Sequence, residues 1–238
     1  GFMEQYGYYD LFLMCPENGD VSFSVCKESD FGQRSSDIAN SSLKDVWEVA
    51  SKQGEAALSD IKPYAPSDGA PAQFIAAPIK VEGEVIGVVA LQVSADSVNT
   101  IMQNRAGMGE TGEAYLVGSD KRMRSDSFLD PEGHSLAASL AGTVAGNGVD
   151  TDAVNLALAG NSGSSVILDY NGAPVLSVYS PVKIAPDVTW VCIAEMDMAE
   201  VDLPVDSLRS SVLVISGVIS LLIAGFALWL ASNMVGPI

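Results

Sequence analysis

Residues 76–99, AAPIKVEGEVIGVVALQVSADSVN, lie without a gap over residues 179–202, YSPVKIAPDVTWVCIAEMDMAEVD, at a constant offset of 103. Pro78 falls on Pro181, Lys80 on Lys183, Val85 on Val188, Val88 on Val191 and Val98 on Val201. The shared pattern is stronger than the identities: an apolar run, a turn at Glu82-Gly83-Glu84 or Ala185-Pro186-Asp187, a second apolar run, and an acidic exit. Runs of this length bounded by turn residues read as antiparallel hairpins. A fixed internal offset means that the same supersecondary unit is built twice.

The repetition continues upstream. Tyr8 to Cys15 and Val21 to Lys27 flank the turn Pro16-Glu17-Asn18-Gly19-Asp20, and Glu113 to Phe128 reads as a second strand pair about Ser119-Asp120-Lys121. Between the strand pairs lie unequal inserts. The first holds Ser41 to Gln53, where Leu43, Val46, Trp47 and Ala50 recur at helical spacing behind Asn40 or Ser41 as the cap. The second holds two short helical stretches, Ser135 to Val144 and Asp152 to Leu158, and Asp96 to Asn104 reads as a helix joining the copies. Antiparallel sheets with helices on one face make the expected class α+β, two tandem modules covering residues 1–106 and 107–207.

After the second copy the chain changes character. Val212 to Ala231, VLVISGVISLLIAGFALWLA, carries no charge, and about 20 helical residues at ~1.5 Å each cross a bilayer's hydrocarbon core. Residues 208–233 are therefore expected to be a transmembrane helix. All 12 Lys and Arg and all 30 Asp and Glu lie at or before Arg209, so the net charge of −18 belongs to the body. A surface this acidic repels polyanions, which excludes nucleic acid as a partner and argues against the body lying on anionic lipid. Its first meaning is solubility, with attraction of cations as the second reading. The opening Gly1-Phe2-Met3-Glu4-Gln5 has neither a basic nor an apolar leader region, which predicts an internal fragment preceded by a signal peptide or another span.

Chemistry-bearing motifs are sparse. Gly107-Met108-Gly109-Glu110-Thr111-Gly112 has the dinucleotide-binding spacing in the wrong context, because that site needs a strand before the glycines and a helix after them, and here the order is reversed. These glycines read as the junction between modules. His134 is the one histidine, and no serine sits in a nucleophile elbow. Cys15 and Cys26 flank the first turn, but pairing about it would leave them about 17 Å apart at ~3.3 Å per residue, too far for a disulfide. With Cys192 they read as small buried apolar residues, so no metal site and no cofactor are expected. Paired carboxylates alone do not distinguish a catalytic pair among 30 acids. A pocket is better supported. Tyr64-Ala65-Pro66-Ser67-Asp68-Gly69 leads into a strand in which Phe74, Ala76 and Pro78 share one face, and the small residues leave room beside Tyr64.

The repeated Pro-Ile/Val-Lys-x-x-x-x-Val hairpins carry a family resemblance, with three further segments beside them. These are Gly109-Glu110-Thr111-Gly112-Glu113-Ala114-Tyr115-Leu116-Val117, Met123-Arg124-Ser125-Asp126-Ser127 and the final Gly236-Pro237-Ile238. In these the chain resembles the double Cache sensor region of bacterial methyl-accepting chemotaxis proteins and of related receptors such as sensor histidine kinases. The resemblance covers nearly the whole chain. It implies two PAS-like modules outside the cytoplasmic membrane after a long N-terminal helix, a small-molecule ligand in the membrane-distal module, and a homodimer packed through its membrane helices. Residues 234–238 would begin a HAMP-like linker. Candidate ligand-binding residues are Phe23, Asp30, Trp47, Tyr64, Phe74, Ala76 and Gln92, all in the first copy. The Tyr/Arg/Trp-Tyr motif of the amino-acid-binding members is not found, and Asp45-Val46-Trp47-Glu48 does not match it, so the resemblance implies no amine or amino-acid specificity. The expected function is a sensing domain that relays binding through the terminal helix. A membrane-tethered enzyme and a spacer or adhesive ectodomain are the rivals from other classes.

Overall fold

The computed structural model describes residues 2–39 and 41–234. Asn40, one of the two expected caps, and the Gly236-Pro237-Ile238 end lie outside the described residues. A short helix α1 (Phe2–Tyr6) leads into β1 (Tyr8–Met14) and β2 (Val21–Ser24). Then come α2 (Ser42–Lys52), β3 (Ala57–Leu58), β4 (Lys62–Tyr64) and the long hairpin β5 (Ala70–Val81) and β6 (Glu84–Val93). The sheet runs β2-β1-β6-β5-β3, with β4 added on β5, and every pairing is antiparallel. Helix α3 (Asp96–Met102) crosses to β7 (Glu113–Gly118), followed by α4 (Leu136–Ala141), α5 (Val144–Asn147) and α6 (Asp152–Leu158). The second sheet, β7-β10-β9-β8, adds β8 (Gly163–Leu168), β9 (Pro174–Ala185) and β10 (Val188–Asp197). Two helices, α7 (Met198–Val201) and α8 (Leu203–Met234), end the described chain.

The sheets are laid down in the same register. β1 pairs β6 with Asp10 opposite Gln92, Phe12 opposite Ala90 and Met14 opposite Val88. β7 pairs β10 with Glu113 opposite Glu195, Tyr115 opposite Ile193 and Val117 opposite Val191. Each of these residues stands 103 positions from its counterpart, so the duplication seen in the hairpins extends to the first strand of each copy.

Each sheet buries one face. In the first, Leu43, Val46, Trp47 and Ala50 of α2 close over Phe12, Met14, Phe74, Ala76, Val88 and Ala90. Fully burying such a large apolar side chain contributes about 1.5–3 kcal/mol. In the second, Ala153, Val154 and Ala157 of α6 cover Tyr115, Val117, Tyr179, Val191 and Ile193. The other faces stay partly open, with Leu13, Ile75 and Ile79 exposed on one sheet and Val166, Leu168 and Val178 on the other. A third cluster, Ile61, Leu116, Leu136 and Trp190 with Val98 and Met102 of α3, lies where the two halves meet.

Several expectations need correcting. The residues after Ser119 do not form a strand: they return along β7 through a single bridge, Val117 to Met123, and Lys121 takes a left-handed φ of +61°. The stretch expected as one helix from Ser135 to Val144 is two, α4 and α5, separated by Gly142 and Thr143. Cys26 is exposed rather than buried, and all three cysteines are free. Helix α8, 32 residues and about 48 Å at ~1.5 Å per residue, stands clear of both sheets; with α7 it is the one run among the described residues long and apolar enough to cross a membrane.

Candidate functional site

Strand alternation in YYDLFLM puts Asp10 on the same side as Phe12 and Met14, facing the core, and Asp10 is fully buried. Register carries that row across the sheet, Asp10 to Gln92 to Phe74. One end of an otherwise apolar face is therefore polar. The Asp10 carboxylate is held by backbone: Val25 and Cys26 amides donate to Oδ1 at 2.9 and 3.1 Å, and the Ser24 hydroxyl to Oδ2 at 2.7 Å. This ties down the loop after β2 and swings Asp30 into the core.

Asp30 is fully buried, and Tyr64, at the end of β4, donates its hydroxyl to Oδ2 at 2.8 Å. Oδ1 of Asp30 has no hydrogen-bond partner. The Tyr64 ring meets Phe74 edge-on at 4.8 Å, and Phe74 meets Phe12 at 5.9 Å. A third acid closes the rim: Glu28 accepts from the Tyr9 hydroxyl at 2.6 Å and from Ser67 at 2.7 Å. Gln92 donates to the Ser67 hydroxyl at 3.3 Å while its buried Oε1 is unpartnered. A cavity of about 240 Å³ opens at this rim, lined by Tyr9, Ser67, Pro71, Gln92, Ser94 and Asp96 among others.

The electrostatics are one-sided. Burial pushes the Asp30 carboxyl up, the charges of Asp10 and Glu28 add to it, and only the Tyr64 hydrogen bond among the larger effects pulls it down. Tyr64 is raised well above the usual phenol by burial and by Asp30, Glu28 and Asp10. Tyr9 is pushed up to about 12, chiefly by its hydrogen bond to Glu28. Burial together with the same three acids raises the Cys26 thiol. Among the described residues none of the salt bridges engages Asp10, Glu28 or Asp30. Two buried acids, Asp10 and Asp30, thus lie beside the half-buried Glu28, the buried Tyr64 and the exposed Tyr9, with no paired cation among the described residues.

Of the residues singled out from sequence, Asp30, Tyr64, Phe74 and Gln92 come together here, and Ala76 follows Phe74 on the same face. Trp47 is in the same apolar core but at its other end, donating to the Cys15 carbonyl at 2.9 Å. It stands past Met14, about 13 Å along β1 from Asp10 at ~3.3 Å per residue. Phe23 is not brought to the site. A register irregularity between Leu13 and Met14 sets Val21 opposite Met14 and Phe23 opposite Leu13, so Val21 and Ser24 face inward and Phe23 is turned to the outer face. Asp10, Glu28, Ser67 and Tyr9 were missed. An acid on the apolar side of a strand was the available signal for Asp10, and its counterpart 103 residues on, Glu113, repeats it.

No protein-family model and no curated protein sequence matches the chain. Solved structures do. The ligand-binding domain of the Pseudomonas aeruginosa amino acid chemoreceptor PctB, in complex with L-Arg, aligns at 20% identity over 86% of this chain and 72% of that one, TM-score 0.54. The ligand-binding domain of the Pseudomonas fluorescens chemoreceptor CtaA, in complex with L-isoleucine, aligns at 16% identity over 82% and 71%, TM-score 0.53. An extracellular ligand-binding receptor from Desulfohalobium retbaense aligns at 12% identity over 81% of this chain and 31% of that one, TM-score 0.52. The chain shares the fold of these chemoreceptor ligand-binding domains and adds a long apolar C-terminal helix.

Proposed function

We propose that this chain is the extracytoplasmic sensor of a bacterial chemoreceptor, two PAS-like Cache modules spanning residues 1–106 and 107–207, and that its ligand is a small organic cation. The unpartnered Oδ1 of buried Asp30 carries the ligand class. A protonated amine entering at the rim cavity would meet the Tyr9 ring and the field of Glu28, Asp30 and Asp10, and would reach the Asp30 oxygen once Tyr64 and Phe74, which are buried and line no part of that cavity, move apart. An amino acid, the ligand class of the PctB neighbour, would bring a carboxylate into the same corner, opposite three acids. The absence of a paired arginine or lysine favours the amine.

In this reading the protein binds without catalysis and passes a displacement of β10 through α7 and α8. The membrane helix crosses the bacterial inner membrane, the modules lie in the periplasm, and two copies pack through their membrane helices ahead of a HAMP-like linker. A sensor kinase or cyclase would use the same ectodomain, and the sequence following Ile238 separates them. A bias of a few kcal/mol between two signalling states is enough for output, supplied by the ligand's differential affinity for them.

The test is a thermal-shift and calorimetric screen of the full chain in detergent or nanodiscs against primary and quaternary amines, amino acids and organic acids. A ligand at a hundred times its Kd stabilises by about 2.7 kcal/mol, several degrees for a domain of this size. Amines are expected to score, with the shift abolished in Asp30→Asn. Binding of amino acids or organic acids alone, or amine binding that survives Asp30→Asn, would overturn the assignment.

A further inference from the structure

The second sheet carries its own buried polar row, and no part of the ligand site uses it. β7, β10, β9 and β8 contribute Glu113, Glu195, Ser177 and Ser165, each paired with the next across the sheet. Glu113 and Glu195 are the counterparts of Asp10 and Gln92 at the 103-residue offset, so an acid stands where the first copy has an amide. Both glutamates are almost fully buried.

Their partners differ. Glu113 accepts four hydrogen bonds: Ser127 Oγ at 2.7 Å, the Phe128 and Leu129 amides at 2.9 and 3.2 Å, and the Tyr170 hydroxyl at 2.6 Å. Glu195 receives one full hydrogen bond, from the Tyr115 hydroxyl at 2.5 Å; its Oε2 has no partner of good geometry, although the Ser177 hydroxyl opposite it favours the anion, and the Ser165 hydroxyl in the same row is unpartnered. The charged groups acting on Glu195 are Glu113 from β7 and Asp169 from the β8–β9 turn, both acidic. The titratable hydroxyls are Tyr115 from β7 and Tyr170, against which the His134 ring packs tilted at 4.1 Å while its Nδ1 pairs with Asp130. Two carboxylates opposed on neighbouring strands, out of water, are not both stable as anions.

We propose that Glu195 is a proton-binding site of the membrane-proximal module, and that its protonation tightens β10 against β7 and is read out through the membrane helix. With the proton bound, Glu195 donates or accepts within the row and the strands close. With it lost, like charges face one another across β7 and β10. Burial and Glu113 push Glu195 up to about 7, which puts the change inside the physiological range. The route outward is short. Glu195 is two residues from the end of β10, Asp197 donates its amide to Thr111 Oγ1 at 3.2 Å, and α7 and α8 follow directly.

The test needs no organic ligand. Side-chain carboxyl resonances of the full chain, labelled with ¹³C-glutamate in nanodiscs, are followed from pH 5 to 9, and hydrogen exchange of residues 190–201 is compared between wild type and Glu195→Gln at pH 5.5 and at pH 8.5. One resonance titrating near pH 7 and absent from Glu195→Gln is expected. Exchange should be equal in the two proteins at pH 5.5, and several-fold slower in Glu195→Gln at pH 8.5, where only the wild type is charged. Ser177→Ala, which removes a polar neighbour of the anion, should move the midpoint to higher pH and serves if Glu195→Gln does not fold. Absence of a resonance titrating between pH 6 and 8, an exchange difference independent of pH, or an unmoved midpoint in Ser177→Ala would each overturn the proposal.

Discussion

Asp60 and Arg124 join the two halves of the molecule through a two-point ion pair, Nε to Oδ1 at 2.8 Å and Nη2 to Oδ2 at 2.7 Å. Asp60 lies between β3 and β4 of the first half. Arg124 lies after β7 of the second, with its side chain 2% exposed. Trp190 of β10 donates its indole N–H to the same Asp60 oxygen at 2.8 Å, and Asp120 takes the guanidinium from the other side at 3.0 Å. A second polar contact crosses the seam from α3, where Asn99 donates to Asp126 Oδ2 at 2.7 Å and accepts from the Asp126 amide at 2.8 Å.

Removing the Asp60 carboxylate leaves the buried Arg124 guanidinium with only the half-exposed Asp120 as its anion. Asp60→Ala should cost about 3–5 kcal/mol in urea unfolding, and the double variant Asp60→Asn with Arg124→Met much less, because the one charge it leaves unpaired, Asp120, is half-exposed. The sign with pH is fixed by Asp60. Burial works to raise its pKa, but the hydrogen bonds and charge of Arg124, with Trp190, outweigh it and hold the group below the usual carboxylate range. Its stabilisation is therefore present above about pH 4 and lost as pH falls through the lowered value. Acid unfolding that was no shallower in Asp60→Asn than in wild type would count against this account.

Tyr64→Phe removes the single donor to Asp30 and leaves both its oxygens buried and unpartnered. A loss of about 1–3 kcal/mol is expected. Asp30 is already raised, by burial first, so its contribution has the opposite sign to that of Asp60: the native state gains stability as pH falls through the folded pKa toward the unfolded one. The variant should steepen that gain and weaken amine binding. Unfolding midpoints at pH 4, 5, 6 and 7 with calorimetry at pH 7 measure both. An unchanged pH slope with unchanged affinity would remove Tyr64 from the site.

The repeat was legible because strand register has a period of two, and a 103-residue offset preserved over the hairpins must place equivalent side chains on equivalent faces. That is why Phe74 and Ala76 were placed correctly on one face from sequence, and why α2 was found within one residue at each end. Phe23 was not, because one irregular position between Leu13 and Met14 reverses the facing of everything beyond it, and nothing local in VSFS announces it. Asp60 and Arg124 are 64 residues apart in loops without periodicity, so their pairing had no one-dimensional signature. The glycine-rich 107–112 segment lies between α3 and β7, and what it grips has no signature in the sequence.

It grips Glu200. The Glu110 and Thr111 amides donate to the Glu200 carboxylate at 2.9 and 2.7 Å and the Thr111 hydroxyl at 2.6 Å, while Arg105 ties the loop's carbonyls from behind. These contacts, the hydroxyl first, lower the Glu200 pKa. Gly109 sits at φ +66°, and a Cβ there would run into that carboxylate. Since Glu200 belongs to α7, the loop holds the segment that leads into the long apolar helix α8. Glu200→Gln should leave the unfolding temperature nearly unchanged yet speed hydrogen exchange at the Glu110 and Thr111 amides, and Gly109→Ala should do both harm to the latch and cost about 1 kcal/mol in backbone strain. Unaltered exchange in both variants would show that the loop does not hold α7.

The long apolar helix α8 offers a stripe of small residues, Ser216, Ser220 and Ala224, at four-residue spacing. Ser220 returns its hydroxyl to the Ser216 carbonyl at 2.8 Å, so the stripe presents small volume rather than a free polar group. Small residues let helix backbones approach closely in lipid, where packing rather than the hydrophobic effect drives association. Phe226 and Trp229, stacked at 5.8 Å, stand beyond the stripe toward the helix's far end. In a background with Cys15, Cys26 and Cys192 replaced by serine, single cysteines walked from 213 to 226 in lipid vesicles should crosslink with a helical period, highest at 216, 220 and 224 and several-fold lower at 218 and 222. Replacing Ser220 by leucine should flatten the profile, since one large side chain separates the helices at their point of closest approach. Equal yields all round the helix in the starting protein would mean that the spans do not pair along this face.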